Sequence, residues 1–184
     1  DPVIQKTEKK EKMTRDLLRE ALGSPPNFTA WVSGLKLRAY QRGVAEAVAG
    51  SVLHGLGLSL AVVFPRQSGK NELQAQLEVY LLALLQERGA EIVKISPTWR
   101  PQSLNAMRRL ERVLERNSLT RGLWVKENGY IYRVGRARIF FLSGAPEASI
   151  VGATASTLLE VDEAQDVRID KFDKDIAPMA ASTN

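Results

Sequence analysis

The sequence predicts an α/β fold: a mainly parallel sheet flanked by helices, with a small antiparallel hairpin and an N-terminal helical appendage. Three observations predict it. Residues 60–64 form an apolar run that passes through a short polar loop into a periodic helix; a second apolar run follows at 91–96, and a third, at 157–162, ends in paired acids. Short apolar runs alternating with helical segments are the signature of βαβ units, which set strands side by side and parallel.

Length and composition allow one domain with a real core, since 44% of the 184 residues are hydrophobic. We divide the chain into an appendage at 1–34 and a main domain at 35–184, the latter expected to be truncated at its C-terminal end. The absence of cysteine excludes disulfides and thiolate metal sites. A single histidine, His54, argues against a histidine-built metal site or a Ser-His-Asp triad. Beside Gly55, it reads as a helix C-terminal residue. No apolar run approaches a membrane span and the opening Asp1-Pro2-Val3 lacks signal-peptide architecture, so a cytosolic compartment is expected.

Net charge +5 and a pI near 9.6 point to a polyanionic partner. The charge is concentrated. Residues 100–138 hold ten Lys or Arg against Glu111, Glu115 and Glu127, a surplus of +7 that leaves the remainder at −2.

Along the chain, residues 5–12 are a charged run that reads as a solvated helix face or frayed terminus. Met13, Leu17, Leu18 and Leu22 recur at helical spacing until Gly23-Ser24-Pro25-Pro26 stops the helix. Phe28, Trp31 and Val32 predict a short helix whose aromatics pack on the main domain. Leu37-Arg38-Ala39-Tyr40-Gln41 leads into a helix ending near residues 50–55. Gln41 offers a donor and an acceptor together, the pair that reads the N6/N7 edge of adenine.

Residues 58–72 organise the rest. A loop turning from a buried strand into a helix aims backbone N–H groups at one point beside the positive end of the helix dipole, where phosphate fits. This is a P-loop. Gly69 lets the backbone approach closely and Lys70 supplies a mobile charge to the β- and γ-phosphates. The match to G-x-x-x-x-G-K-[ST] is incomplete, because Phe64 holds the first glycine position and Asn71 follows the lysine.

Leu73, Leu77, Tyr80, Leu81, Leu84 and Leu85 then mark one helical face, closed by Gly89. Pro97-Thr98-Trp99-Arg100-Pro101 is the loop at the carboxyl end of the next strand, where open α/β sheets bind ligands. In the helix predicted at 102–117, Leu104, Met107, Leu110 and Leu114 face the core. Arg108, Arg112 and Arg116 form either a salt-bridged solvent face or a phosphate-tracking stripe. Asn128-Gly129 predicts a hairpin turn, and residues 137–142 extend that hairpin into a small patch bearing Arg133, Arg136 and Arg138.

A P-loop hydrolase needs Mg²⁺ on the β/γ oxygens and a carboxylate at a neighbouring strand tip to hold it. Asp162 would hold the metal and Glu163 would orient or deprotonate the attacking water. Glu160 interrupts the apolar run before them, and the sequence offers no account of it.

Taken together, these residues resemble the ATPase half of the large terminase subunit of tailed bacteriophages and related viruses. The resemblance is carried by Leu37-Arg38-Ala39-Tyr40-Gln41, Phe64-Pro65-Arg66-Gln67-Ser68-Gly69-Lys70-Asn71-Glu72, Ser96-Pro97-Thr98, residues 144–152, and Leu159-Glu160-Val161-Asp162-Glu163-Ala164-Gln165. Arg66 matches that family's variant P-loop, in which the first glycine is dispensed with. The resemblance implies a P-loop NTPase of RecA/ASCE type that hydrolyses ATP with Mg²⁺ and drives double-stranded DNA into a procapsid. It further implies a homo-oligomeric ring, a pentamer, docked on the portal protein in the host cytoplasm, with a small terminase subunit as partner. On matching positions Lys70 and Arg66 would bind phosphates, Asn71 would stand near Mg²⁺, Asp162 would hold the metal and Glu163 would be catalytic. Arg100, Arg121, Arg136 and Arg138 are candidates for an arginine supplied in trans, and Arg133 joins them as a DNA-contact candidate. The family's nuclease domain and coupling motif are absent, so a fragment is expected. Two other readings stand beside this one: a superfamily 2 helicase-like translocase, which shares the Gln and Asp-Glu features, and a basic DNA-binding scaffold with a vestigial nucleotide site.

Overall fold

The computed structural model describes residues 2–150 and 152–181, so Val151 of the 144–152 segment lies outside the described residues, as do the side chains of Gln5 and Lys6 in the charged run. Helix α1 (Pro2–Leu22) leads to α2 (Pro25–Trp31), whose N-terminus is capped by Ser24 Oγ accepting from the Asn27 N–H. Helix α3 (Ala39–Leu53) ends at His54, the helix-terminal place the sequence predicts for it. Then follow α4 (Lys70–Leu84), β1 (Ala90–Ser96), a tight helical turn at Trp99–Ser103 and α5 (Leu104–Arg116). Strands β2 (Trp124–Glu127), β3 (Ile131–Val134), β4 (Ala137–Ser143) and β5 (Leu158–Val161) come next, before short helical turns over 164–181.

The five strands make one sheet in the order β2-β3-β4-β1-β5. It is mixed, not mainly parallel. β1 pairs in parallel with β4 on one side and β5 on the other, while β2–β3 and β3–β4 are antiparallel. The physical reason lies in two tight turns. Asn128 (φ 50°) and Gly129 (φ 78°) are both left-handed in a turn closed by the Tyr130 N–H donating to the Glu127 carbonyl, and Gly135 (φ 57°) turns β3 into β4. The 137–142 segment is therefore no peripheral patch. Ile139 and Phe141 face one core and Phe140 and Leu142 the other, and a strand apolar on both faces belongs inside a sheet.

Residues 60–64 correct a second expectation. They form no strand and stay exposed, Val63 at 92%. Strand propensity reflects packing on a paired, half-buried surface. With no ladder formed beside β5, the apolar run has nothing to pack on. Only Phe64 turns inward, joining Leu37, Ala45 and Leu73.

Helix α4 is the spine of the molecule, buried on nearly every side between the sheet, α3 and α5. Phe28 meets Tyr80 edge to face at 5.3 Å, tying α2 to it, and Tyr80 donates its hydroxyl to the Leu22 carbonyl. Trp31, by contrast, is half exposed, as are Met13 and Leu17. The opposite face of the sheet is covered by Ile150, Ala155, Val167, Ile176 and Met179, packed on Val93 and Ile95.

Candidate functional site

The strand alternation of β1 and β5 decides what faces α4. Successive side chains point to opposite faces, so Val93 and Ile95 go to one core while Ile92 and Lys94 go to the α4 side. The register pairs Lys94 with Glu160. Lys94, only 3% exposed, lies 2.5 Å from Glu78 Oε1 of α4 and 3.6 Å from Glu160 Oε1. This accounts for the acid that interrupts the apolar run: Glu160 is one limb of a buried Glu78–Lys94–Glu160 cluster. Burial pushes Glu160 well above the usual carboxylate range; Lys94 opposes that rise and Glu78 adds to it. Lys94 itself is held above its ordinary value, because the surrounding acids outweigh its burial.

One residue pair further along, the strand ends deliver the acids the sequence singles out. Asp162 continues the ladder by donating its N–H to the Ile95 carbonyl at 2.9 Å. Lys70, the first residue of α4, reaches across to Asp162 Oδ1 at 3.0 Å and to Glu163 Oε1. Glu163 sits at φ 47°, ψ 48°, a left-handed conformation uncommon for such a residue, with Oε2 accepting from Gln165 Nε2 at 2.6 Å. The Lys70 hydrogen bond, then that of Gln165, holds the Glu163 carboxyl below its usual value despite its burial. Arg66 adds to the effect through its charge. For Lys70, burial is the largest influence and lowers the value, but Glu163 and Asp162 together outweigh it and raise the amine.

The loop before α4 is clamped from α3. Tyr40 donates its hydroxyl to the Ser68 carbonyl at 2.7 Å and stacks edge to face on Phe64 at 5.5 Å. Gln41 accepts from the Arg38 N–H at 2.9 Å, while its Nε2 donates to the carbonyls of Ser68 and Gly69. Both ends of the amide predicted to read adenine are thus engaged with backbone. Gly69 has φ 82°, which calls for glycine, and a Cβ there would come within 2.8 Å of Gln41 Nε2 and displace that amide. Gln67 too is left-handed, at φ 61°. Pro65, Arg66 and Gln67 are exposed at the rim of a cavity of about 620 Å³, with Ser68, Gly69 and Lys70 deeper in its wall. Ser68 Oγ is buried and finds no hydrogen-bond partner among the described residues.

A second, smaller cavity of about 130 Å³ joins Asn71, Gln74, Lys94, Asp162 and Glu163. Among the described residues no group of three or more His, Cys, Asp or Glu side chains could hold a metal unaided. Magnesium does not require one, since it keeps several waters and takes one or two carboxylates plus substrate phosphates. Asp162 and the Asn71 amide oxygen are donors of that kind. Gln74 Oε1 lies buried and unpartnered near Asp162, so the pocket has polar capacity to spare.

The arginines divide by position. Arg100 lies just beyond the carboxyl end of β1, the end that carries Asp162. Arg133, Arg136 and Arg138 lie at the other end, where register aligns Ala90, Ala137, Val134 and Trp124; Arg121 precedes Trp124 by three residues. Arg138 pairs with Glu91 and Arg133 with Glu127 at 2.6 Å. These four are not brought to the site of their own chain.

Several members of the site escaped sequence reasoning. Gln74 is one helical turn after Lys70, a spacing that placed it on the same face. Lys94 and Glu160, each a charge inside an apolar run, were a readable pair only once register was known. Gln165 stands in the 159–165 stretch but with no role of its own, and Arg109 carries no signal. Comparison of the chain with family models, curated proteins and solved structures returned no match.

Proposed function

We propose that this chain is a Mg²⁺-dependent P-loop ATPase domain of a viral DNA-packaging motor, of the large terminase type, coupling ATP hydrolysis to translocation of double-stranded DNA into a procapsid. One observation carries the reading: Lys70, at the positive end of α4, meets the Asp162-Glu163 pair across 93 residues of sequence. The arginine at position 66 favours this over a helicase-like translocase, which would share Gln41 and Asp162-Glu163. The homo-oligomeric ring, the portal and small-subunit partners and the host-cytoplasmic setting belong to the same proposal; no helix among the described residues is long and apolar enough to cross a membrane.

Each residue's part follows from its chemistry. Lys70 exchanges its carboxylate partners for phosphate oxygens, with Arg66 beside it at the loop rim. Asp162 and Asn71 would hold magnesium, which when bound neutralises charge on the β- and γ-oxygens. Glu163 stays ionised near neutral pH and accepts a proton from the attacking water, its carboxylate aimed by Gln165. Gln41 and Tyr40 keep the loop in shape for the phosphates.

Mg-ATP at about 100 times its Kd should stabilise the protein by about 2.7 kcal/mol. Lys70→Ala should abolish that shift and lower hydrolysis about 10²- to 10³-fold, as loss of a preorganised charge-stabilising donor does. No shift and no hydrolysis with the wild-type chain would refute the reading.

For DNA, the favoured face is α5. Of the ten basic residues in 100–138, Arg109, Lys126, Arg133 and Arg138 are in ion pairs, whereas Arg108, Arg112 and Arg116 are exposed and have none among the described residues. Reversing these three to Glu should weaken binding and flatten its salt dependence by about 0.9 log unit for each phosphate no longer neutralised. Equal loss on reversing Arg133 and Arg138 instead would place DNA on the hairpin.

A further inference from the structure

We propose that Arg109 is a phosphate-contacting residue of this chain's own nucleotide site, held on Glu72 until the nucleotide arrives. The inference rests on the nucleotide reading above and deepens it. The sequence offers Arg100, Arg121, Arg136 and Arg138 as arginines supplied by a neighbouring subunit, but the last three lie at the end of the sheet away from the site.

Helix α5 packs along α4, and Arg109 is the cation it turns toward the site. Met107, Leu110 and Leu114 bury the helix against the core and fix its backbone. Arg108, Arg112 and Arg116 point to solvent, whereas Arg109 forms part of the wall of both cavities, the one beneath the 64–72 loop and the one beside Asp162 and Glu163. It is placed where a bound phosphate chain would lie between Lys70 and α5.

Its present partner is itself informative. Arg109 Nη1 lies 3.3 Å from Glu72 Oε2, with both side chains about one-third exposed, a geometry that holds an ion pair loosely. Glu72 stands in the first turn of α4, where the helix dipole favours negative charge. Its other oxygen accepts from Gln76 Nε2 at 3.1 Å, so the acid is anchored by its own helix and the arginine is the partner free to swing. The carboxylate occupies the place of an anion at a helix N-terminus. A phosphate group, tetrahedral and more highly charged, can offer the guanidinium two oxygens where Glu72 offers one. Lys70 shows the same arrangement, resting on Asp162 and Glu163.

The test measures Mg-ATP affinity of the full chain by calorimetry, with thermal stability recorded in parallel. Arg109→Ala should weaken Mg-ATP about tenfold, the loss expected for one charge-assisted contact, and Arg109→Lys should recover part of it. Glu72→Gln should tighten binding several-fold, because the competing carboxylate is gone. A structural bridge between α4 and α5 predicts otherwise: Arg109→Ala and Glu72→Gln would lower the melting temperature alike and leave affinity within twofold, which overturns the proposal. If Lys70→Ala loses binding while Arg109→Ala keeps it, this inference falls and the site reading stands. Failure of the wild-type chain to bind Mg-ATP would overturn both.

Discussion

The two ends of the sheet are both rich in charge, and they use it differently. Where β2, β4 and β1 begin, Arg133 and Arg138 meet Glu127 and Glu91 in pairs about one-third exposed, and Gly135, at φ 57°, turns β3 into β4 with no strain. Where β1 and β5 finish, Lys94 is buried between two acids, Lys70 is shared by two more, and Gln67 and Glu163 take left-handed conformations that cost a side-chain-bearing residue energy. Surface pairs of the first kind settle a local charge. A cluster of the second kind persists only where surrounding structure holds it, and unpartnered oxygens on Glu78, Glu160 and Ser68 show that it is not fully satisfied from within.

The contrast breaks most visibly at Lys94. Lys94→Met removes the one cation between Glu78 and Glu160 and should cost about 3–5 kcal/mol in denaturant unfolding, the penalty for leaving buried charge uncompensated. The equivalent change at the far end, Arg138→Met, should cost no more than about 1 kcal/mol. Similar values at both positions would show that the Lys94 cluster is better hydrated than its burial indicates.

Gly69→Ala comes next. Its positive φ and the close approach of Gln41 predict a loss of about 1–3 kcal/mol, together with weaker nucleotide binding as the Gln41 clamp is displaced. The hairpin position Gly129 has open space around its missing Cβ, so Gly129→Ala carries only the conformational cost. A Gly69→Ala protein that keeps full nucleotide affinity would show that the clamp does not shape the loop.

The smallest effect is in pH. Glu163 has its folded value depressed, so its contribution to stability is present above the unfolded carboxylate range and is lost as pH falls through the lower folded value. Lys70 has its value raised, so its contribution holds below the ordinary amine range and is lost as pH rises through the folded value. Melting temperature should therefore differ between wild type and Glu163→Gln at neutral pH, with the difference shrinking in acid. A difference that persists at low pH would mean that Glu163 acts through packing.

Much of this was legible beforehand, for identifiable reasons. The helix after the 58–72 loop shows in its apolar spacing and its stop at Gly89, the one expected at 102–117 in its apolar spacing, the one before the loop in its glycine-rich end near 50–55, and the hairpin in Asn128-Gly129. Lys70 at a helix N-terminus and Asp162-Glu163 at a strand tip are each legible as single charges at element ends, but their direct pairing is set by how α4 lies against β5. Residues 60–64 misled. Their pattern is that of a strand, but a strand exists only through a partner, and partnering is not a property of the segment.

By itself the sequence determined what is local: which stretches coil, where they stop, which loop needs glycine, and which charges lie at element ends. Only the tertiary structure decided what depends on two segments at once. It placed β4 beside β1, made the sheet mixed, set Lys94 opposite Glu160, turned Arg109 inward, and tied Gln41 to the loop carbonyls. Periodicity is written in single residues and their neighbours along the chain. Register and helix packing are set by the mutual fit of distant surfaces.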